Sequence, residues 1–311
     1  MRRARLPSRG QRDVRHRAKY TGRTDRIVRV FAASPGPAES ARWRERLAPL
    51  RDSFRSALPY SHVVIDNFLP GPLASALAVE FPSEDAASWI HYTHVNEHKF
   101  GMRDRAQFGV ATRMAIDDLN SDEFLAALSA LTGIDGLLAD PSLEGGGLHR
   151  TERDGFLNLH TDFTVHPHRA NWRRRLNLLV YLNDPWDEHW GGELQMWDPS
   201  VRACVRRVVP VFNRAVLFDT DRAVHGHPDP LRTPENVSRR SLALYYYTDD
   251  AKDHASRATH YRARPGDGLR GVAIAADNAM LRVYGAAKRR LGIDDRWASA
   301  LLGRIARTRR K

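Results

Sequence analysis

Phe156-Leu157-Asn158-Leu159-His160-Thr161-Asp162 is the stretch on which the reading of this chain turns. Leucines alternate with polar residues, and the two-residue period of a strand sends Asn158, His160 and Asp162 to one face. One imidazole and one carboxylate therefore project together. A lone His-x-Asp is a weak signal in a chain with 14 histidines, so a third ligand is needed. Two histidines and one carboxylate on one face of an octahedral iron leave three positions open for reactants. His225 supplies the third group, sixty-three residues after Asp162 in Ala223-Val224-His225-Gly226-His227-Pro228, with His227 as the alternative. Fourteen residues later comes Ser238-Arg239-Arg240-Ser241-Leu242. Here the period of two puts Arg239 and Ser241 on one face, where a guanidinium fork and a hydroxyl reach the same carboxylate. Arg240 points away in that register and takes the role of Arg239 if a bulge shifts the strand.

Around this stretch the texture is that of a sandwich or barrel, with short β-type runs broken by Gly, Pro, Asn and Asp. The expected strands are Leu157–Asp162, Leu176–Leu182, Glu193–Trp197, Val205–Val211, Ala215–Phe218 and Ser241–Thr248. Upstream, Ser40 caps a helix through Trp43, Leu47, Leu50 and Phe54, whose spacing gives one apolar stripe. A strand follows at His62–Phe68, then a helix from Leu69-Pro70-Gly71-Pro72 toward Phe81-Pro82. Ser121 caps a further helix that stops at Gly133. The predicted organisation is a disordered basic arm over 1–36, helical and strand support over 37–140, a catalytic core over 141–250 and a basic helical tail over 251–311. The tail is expected to be helical over Asn278–Leu291 and Trp297–Ile305 and to pack outside the sheet.

A net charge of +12 invites a nucleic-acid reading, and its distribution argues against a dedicated one. Residues 1–30 hold eleven basic residues against two acidic, and residues 288–311 hold nine against two, which leaves the body between them mildly acidic. The single cysteine, Cys204, excludes an intramolecular disulfide framework and any Cys-rich metal site, so a metal here uses His and carboxylate, and a reducing compartment is the natural home. No run reaches the ~18 apolar residues of a membrane span, and Arg2-Arg3 lacks the apolar stretch of a secretory signal. The expectation is a protein without a membrane span, in the cytoplasm. The sequence is silent on oligomeric state.

The motifs taken together resemble the 2-oxoglutarate/Fe(II) oxygenase superfamily, and its prolyl-4-hydroxylase-like branch most. They are Gly145-Gly146-Gly147-Leu148-His149, His160-Thr161-Asp162, Arg175-Leu176-Asn177 leading to Tyr181-Leu182-Asn183, Gly191-Gly192-Glu193-Leu194, His225-Gly226-His227-Pro228 and Arg239-Arg240-Ser241, spread over about residues 60–250. The resemblance implies a mainly β fold with flanking helices, a double-stranded β-helix of jelly-roll, cupin-like type. It implies His160, Asp162 and His225 as Fe(II) ligands, Arg239 with Ser241 as the anchor for the distal carboxylate of 2-oxoglutarate, and Tyr181 as a further contact to that cosubstrate. It implies O2 as the oxidant, a possible stimulus by ascorbate, and hydroxylation of a prolyl residue in a peptide or protein, or of a small-molecule C–H. Halogenating relatives carry a small residue where this chain has Asp162, so hydroxylation is the expected outcome.

Other motifs receive plainer readings. Gly145-Gly146-Gly147 lacks the Lys-Ser/Thr of a phosphate cradle and reads as a tight turn, and Gly191-Gly192 reads as a hairpin turn. His166 and His168 fall in a loop, His149 reads as a packed or surface histidine with the pocket mouth as the alternative, and Trp186, Trp190 and Trp197 form a mini-core. Of Tyr245-Tyr246-Tyr247, at least one ring is expected inside and one exposed. Two competing hypotheses are a non-catalytic jelly-roll module that binds RNA or ribosomes through basic termini, and a hydrolytic zinc site on the same ligands.

Overall fold

The computed structural model describes residues 42–250 and 257–279. The basic arm and most of the expected tail helices lie outside the described residues, as does Ser40.

Fourteen strands form one continuous antiparallel system that rolls up nearly into a barrel, the jelly-roll arrangement. They are β1 (His62–Ile65), β2 (Ile90–His94), β3 (Glu97–Met102), β4 (Leu137–Ala139), β5 (Gly147–Thr151), β6 (Phe156–Thr161), β7 (Val165–His166), β8 (Arg169–Tyr181), β9 (Leu194–Trp197), β10 (Cys204–Val208), β11 (Ala215–Asp219), β12 (Val224–His227), β13 (Arg239–Asp249) and β14 (His260–Tyr261). Neighbours run β1-β11-β8-β13-β5-β3-β6-β12-β9-β10. The path turns at β3, where Phe100–Met102 pair with β5 while Glu97 and His98 pair with β6. β3 thereby joins the sheet that carries Arg239 to the sheet that carries His160.

Five helices pack against the β8–β13 face: α1 (Arg42–Leu47), α2 (Arg51–Ser56), α3 (Gly71–Glu80), α4 (Val110–Leu119) and α5 (Asp122–Thr132). The strand period explains how one sheet serves both helices and site. On β8 and its exit, Leu176, Leu178, Val180 and Leu182 join the helical core, and on β13 so do Leu242, Leu244 and Tyr246. The intervening positions, Asn177, Leu179, Ser241, Ala243 and Tyr245, face the interior cavity. α5 shows how local sequence sets the frame. The Ser121 hydroxyl accepts from Phe124 N, and Gly133 closes the helix in the left-handed region at φ 78°. Phe124 then packs edge-on against Trp43 at 4.8 Å.

The expected first helix is split. A 3-10 turn at Ala48–Leu50 separates α1 from α2, because Pro49 lacks the N–H that a continuous α-helix would use. The strand expected over His62–Phe68 ends at Ile65, where Asn67 turns left-handed at φ 51°. Gly191 and Gly192 do adopt positive φ, 75° and 76°, but they do not close a hairpin, since β8 and β9 pair with other strands. A helix begins at 269, and the chain before it inserts β14 beside β6.

Candidate active site

A cavity inside the roll is lined by residues from both sheets, among them Tyr92, Lys99, His149, His160, Asp162, Arg174, His225, Arg239, Tyr245 and Tyr261. His160, Asp162 and His225 each offer one ligand atom, and these atoms all lie within 4.8 Å of one another. Nε2 of His160 is 3.5 Å from one Asp162 oxygen, and Nε2 of His225 is 3.6 Å from the other. Convergence follows from pairing, since His225 sits directly across from His160 on the β12–β6 ladder. Backbone carbonyls fix the imidazoles. Nδ1 of His160 meets Asn158 O at 2.9 Å and Nδ1 of His225 meets Ala223 O at 3.3 Å, so each ring turns Nε2 toward the carboxylate.

Electrostatics leave His225 and Asp162 in metal-binding form. Burial, reinforced by the neighbouring His160, lowers His225 to about 3, so its ring is neutral. Burial works against ionisation of Asp162, yet the charge of Arg174 holds its carboxyl well below the usual range. Neutral imidazoles and an ionised carboxylate are the states that bind a metal. The donor set has no thiolate, which suits a ferrous ion. Among the described residues this is the one group of three such side chains that could hold a metal ion.

Arg239 is 6% exposed and forms no ion pair among the described residues. Its Nε donates to Gly192 O at 2.7 Å and its Nη2 to the Tyr181 hydroxyl at 3.2 Å. A buried guanidinium without a carboxylate is costly, so the arrangement fits a ligand that brings one. Ser241 lines the same cavity. Tyr181 is fully buried and stands behind Arg239, with its ring 4.9 Å from the guanidinium carbon, rather than lining the cavity. Arg240 leaves the cavity, donating through Nε to Ser238 and lying over Phe81. His227 does line the cavity, but it falls outside the cluster of three. His149 lines the cavity too, where the sequence favours an ordinary packed or surface histidine, and burial lowers it to about 3.

Several cavity residues escape a strict period of two. Arg174 and Asn177 both face inward because the β8–β13 register shifts between Tyr246 and Tyr247, leaving Arg175 as the extra residue. Arg174 donates to Asn177 Oδ1 through Nε at 2.9 Å and lies 3.3 Å from Asp162, while Asn177 donates to the same Asp162 oxygen at 2.8 Å. The guanidinium sits over Tyr245 at 3.4 Å and Phe163 at 4.6 Å. A second irregularity, between His227 and His225 opposite Leu157 and His160, lets Leu157 line the cavity while Asn158 turns to Asn96. Asn158 therefore does not share the site face with His160 and Asp162.

Further expectations are corrected. His166 is not a loop residue; it ends β7, is 3% exposed and lies 3.3 Å from Asp140, while His168 is exposed. Trp186 and Trp190 meet edge to face at 5.3 Å, but Trp197 packs elsewhere with Leu159, Val201 and Val224. None of Tyr245, Tyr246 and Tyr247 is exposed, because the outward face of β13 meets the helices and its inward face the cavity. Glu97, Lys99 and Tyr261 reach the cavity from segments where sequence reading singled out no site residue.

Comparison with known proteins adds a family. Residues 146–247 match the model of the 2OG-Fe(II) oxygenase superfamily. The chain is 26% identical over 195 residues to prolyl 3-hydroxylase OGFOD1 of Mus musculus, covering 61% of this chain and 33% of that protein. It thus spans about a third of the length of that curated relative. Similar solved structures include a Pseudomonas putida prolyl-4-hydroxylase, with 22% identity, 65% of this chain, 98% of the other and TM-score 0.47. Another is a Trichoplax adhaerens prolyl hydroxylase in complex with a hypoxia inducible factor oxygen degradation domain peptide fragment, with 16% identity, 70% of this chain, 94% of the other and TM-score 0.49.

Proposed function

We propose, from the premise that residues 146–247 belong to the 2OG-Fe(II) oxygenase superfamily, that this chain hydroxylates a prolyl residue of a peptide or protein. The single observation that carries the reading is the convergence of His160, Asp162 and His225 within 4.8 Å, next to a buried Arg239 that forms no ion pair among the described residues. In this reading His160 and His225 bind Fe(II) through Nε2 and Asp162 through a carboxylate oxygen. Arg239 and Ser241 hold the distal carboxylate of 2-oxoglutarate, and Tyr181 keeps the guanidinium in place. When bound, Fe(II) supplies the O2 chemistry that couples decarboxylation of 2-oxoglutarate to succinate with hydroxylation of substrate. The protein's own share is to orient the groups and exclude water. No side-chain acid or base is required for it.

A peptide substrate is supported by the similarity to a prolyl 3-hydroxylase over 195 residues. A reducing, cytoplasmic setting fits the same reading, because Cys204 is the chain's only cysteine and the metal is used as Fe(II). The test is succinate release from 2-oxoglutarate under Fe(II), O2 and ascorbate, with and without proline-containing peptides. Wild type is expected to exceed His160→Ala and Arg239→Ala clearly. Equal succinate from wild type and His160→Ala would sink the proposal.

A further inference from the structure

The metal-binding residues assigned above do not complete their own surroundings. β6 carries His160, and on one edge of it β12 delivers His225. The other edge is shared. Glu97 and His98 of β3 pair with its first half, and β14 pairs with its second, setting Tyr261 across from His160. His160 is thus flanked on one rung by two rings, His225 at 4.4 Å and Tyr261 at 5.7 Å between centroids. Tyr261 is 5% exposed and lies beyond residues 146–247, the segment that the family model covers.

Tyr261 is itself held from several sides. Asn278, on the helix that begins at 269, accepts from Tyr261 N at 2.9 Å and donates to Tyr261 O at 2.8 Å. The Tyr261 ring shares the cavity lining with the buried Glu97 carboxylate, which takes His94 at 2.9 Å and Lys99 at 3.2 Å. His94 reaches back to Asp277 at 3.1 Å, and Arg270 donates to Asn158, the residue whose carbonyl orients His160, at 3.0 Å. The pairing of Tyr261 with His160 and the His94–Asp277 and Arg270–Asn158 bonds run from segment 257–279 to the strand or hairpin around the first metal-binding histidine.

We infer that Tyr261 is a positioning residue for the metal centre, its ring bracing His160 on the side opposite His225, so that the segment 257–279 is a working part of the metal site. The inference rests on the proposed roles of His160, Asp162 and His225. The supporting shell around a ligating histidine is worth roughly 10–100-fold in metal affinity. The ring is the bracing element, and the hydroxyl is secondary to it.

The test uses the full chain and Co(II) alone, titrated without O2 and followed by its visible absorption, with thermal unfolding recorded in parallel. Tyr261→Phe is expected to bind within a few-fold of wild type, and Tyr261→Ala to bind roughly 10–100-fold more weakly with an altered spectrum. Wild-type affinity and spectrum in Tyr261→Ala would overturn the inference. If Tyr261→Ala does not fold, Asn278→Ala, which unpins the Tyr261 backbone, is expected to weaken binding, and wild-type binding there overturns it equally. His160→Ala separates the two levels of the reading. Should it bind Co(II) like wild type, the ligand assignment fails first and the brace with it.

Discussion

Arg174 lies 3.3 Å from the Asp162 carboxylate, and the same oxygen accepts from Asn177 at 2.8 Å. The guanidinium is itself clamped against Tyr245 and Phe163, so the carboxylate has little freedom to rotate. Arg174→Met keeps most of the volume and removes the charge. It is expected to weaken Co(II) binding by roughly 10–100-fold, as loss of a ligand's supporting partner does. Anaerobic titration checks this, and unchanged affinity would remove Arg174 from the site's support.

Arg239 and Arg240 are adjacent and differ in fate, one buried in the cavity and the other turned toward Phe81. Arg239→Ala would deprive 2-oxoglutarate of its proposed buried partner. Breaking such a pair costs about 3–5 kcal/mol, so the concentration of 2-oxoglutarate needed for half-maximal succinate release should rise by roughly two to four orders of magnitude. Arg240→Ala should change it less than threefold. A larger effect from Arg240 would reverse the assignment.

His94 bridges Glu97 and Asp277 and is 23% exposed at its side chain. Burial alone would lower its pKa, but the hydrogen bonds and charges of the two carboxylates outweigh it and the net shift is upward. A raised folded pKa contributes stability that is fully present below the ordinary value of 6.5 and is lost as pH rises through the folded one. His94→Gln should therefore lower Tm more at pH 6 than at pH 9. An equal loss at both would show that the bridge does not depend on protonation.

Phe124 is fully buried between Trp43, Phe68 and Tyr246, in the layer that supports β13. Phe124→Ala should cost about 3–5 kcal/mol in denaturant unfolding, with the cavity left behind included. A cost under about 1 kcal/mol would mean that the helical layer repacks freely.

Where strand period and hydrophobic pattern act alone, the sequence announces the structure. Ser121 and Gly133 delimit α5, and the alternation around β13 separates Arg239 and Ser241 from Arg240. What was not legible depends on departures from that period or on distant contacts. The bulge at Arg175 brings Arg174 to Asp162, the irregularity opposite Leu157 removes Asn158 from the cavity, and nothing near Tyr261 in the chain marks it as a neighbour of His160. The hairpin of β2 and β3 is not legible because Ile90–Met102 mixes His, Lys and Glu into its strands, and pairing of β3 with β5 and β6 holds it in the sheet.

The most direct test of the central claim counts metal. Full-length wild type, His160→Ala, Asp162→Ala, His225→Ala and His227→Ala are loaded with Fe(II) without O2, desalted and assayed for bound iron. One equivalent is predicted in wild type and in His227→Ala, with marked loss in each of the other three. Full retention of iron by His225→Ala, together with its loss from His227→Ala, would contradict the account.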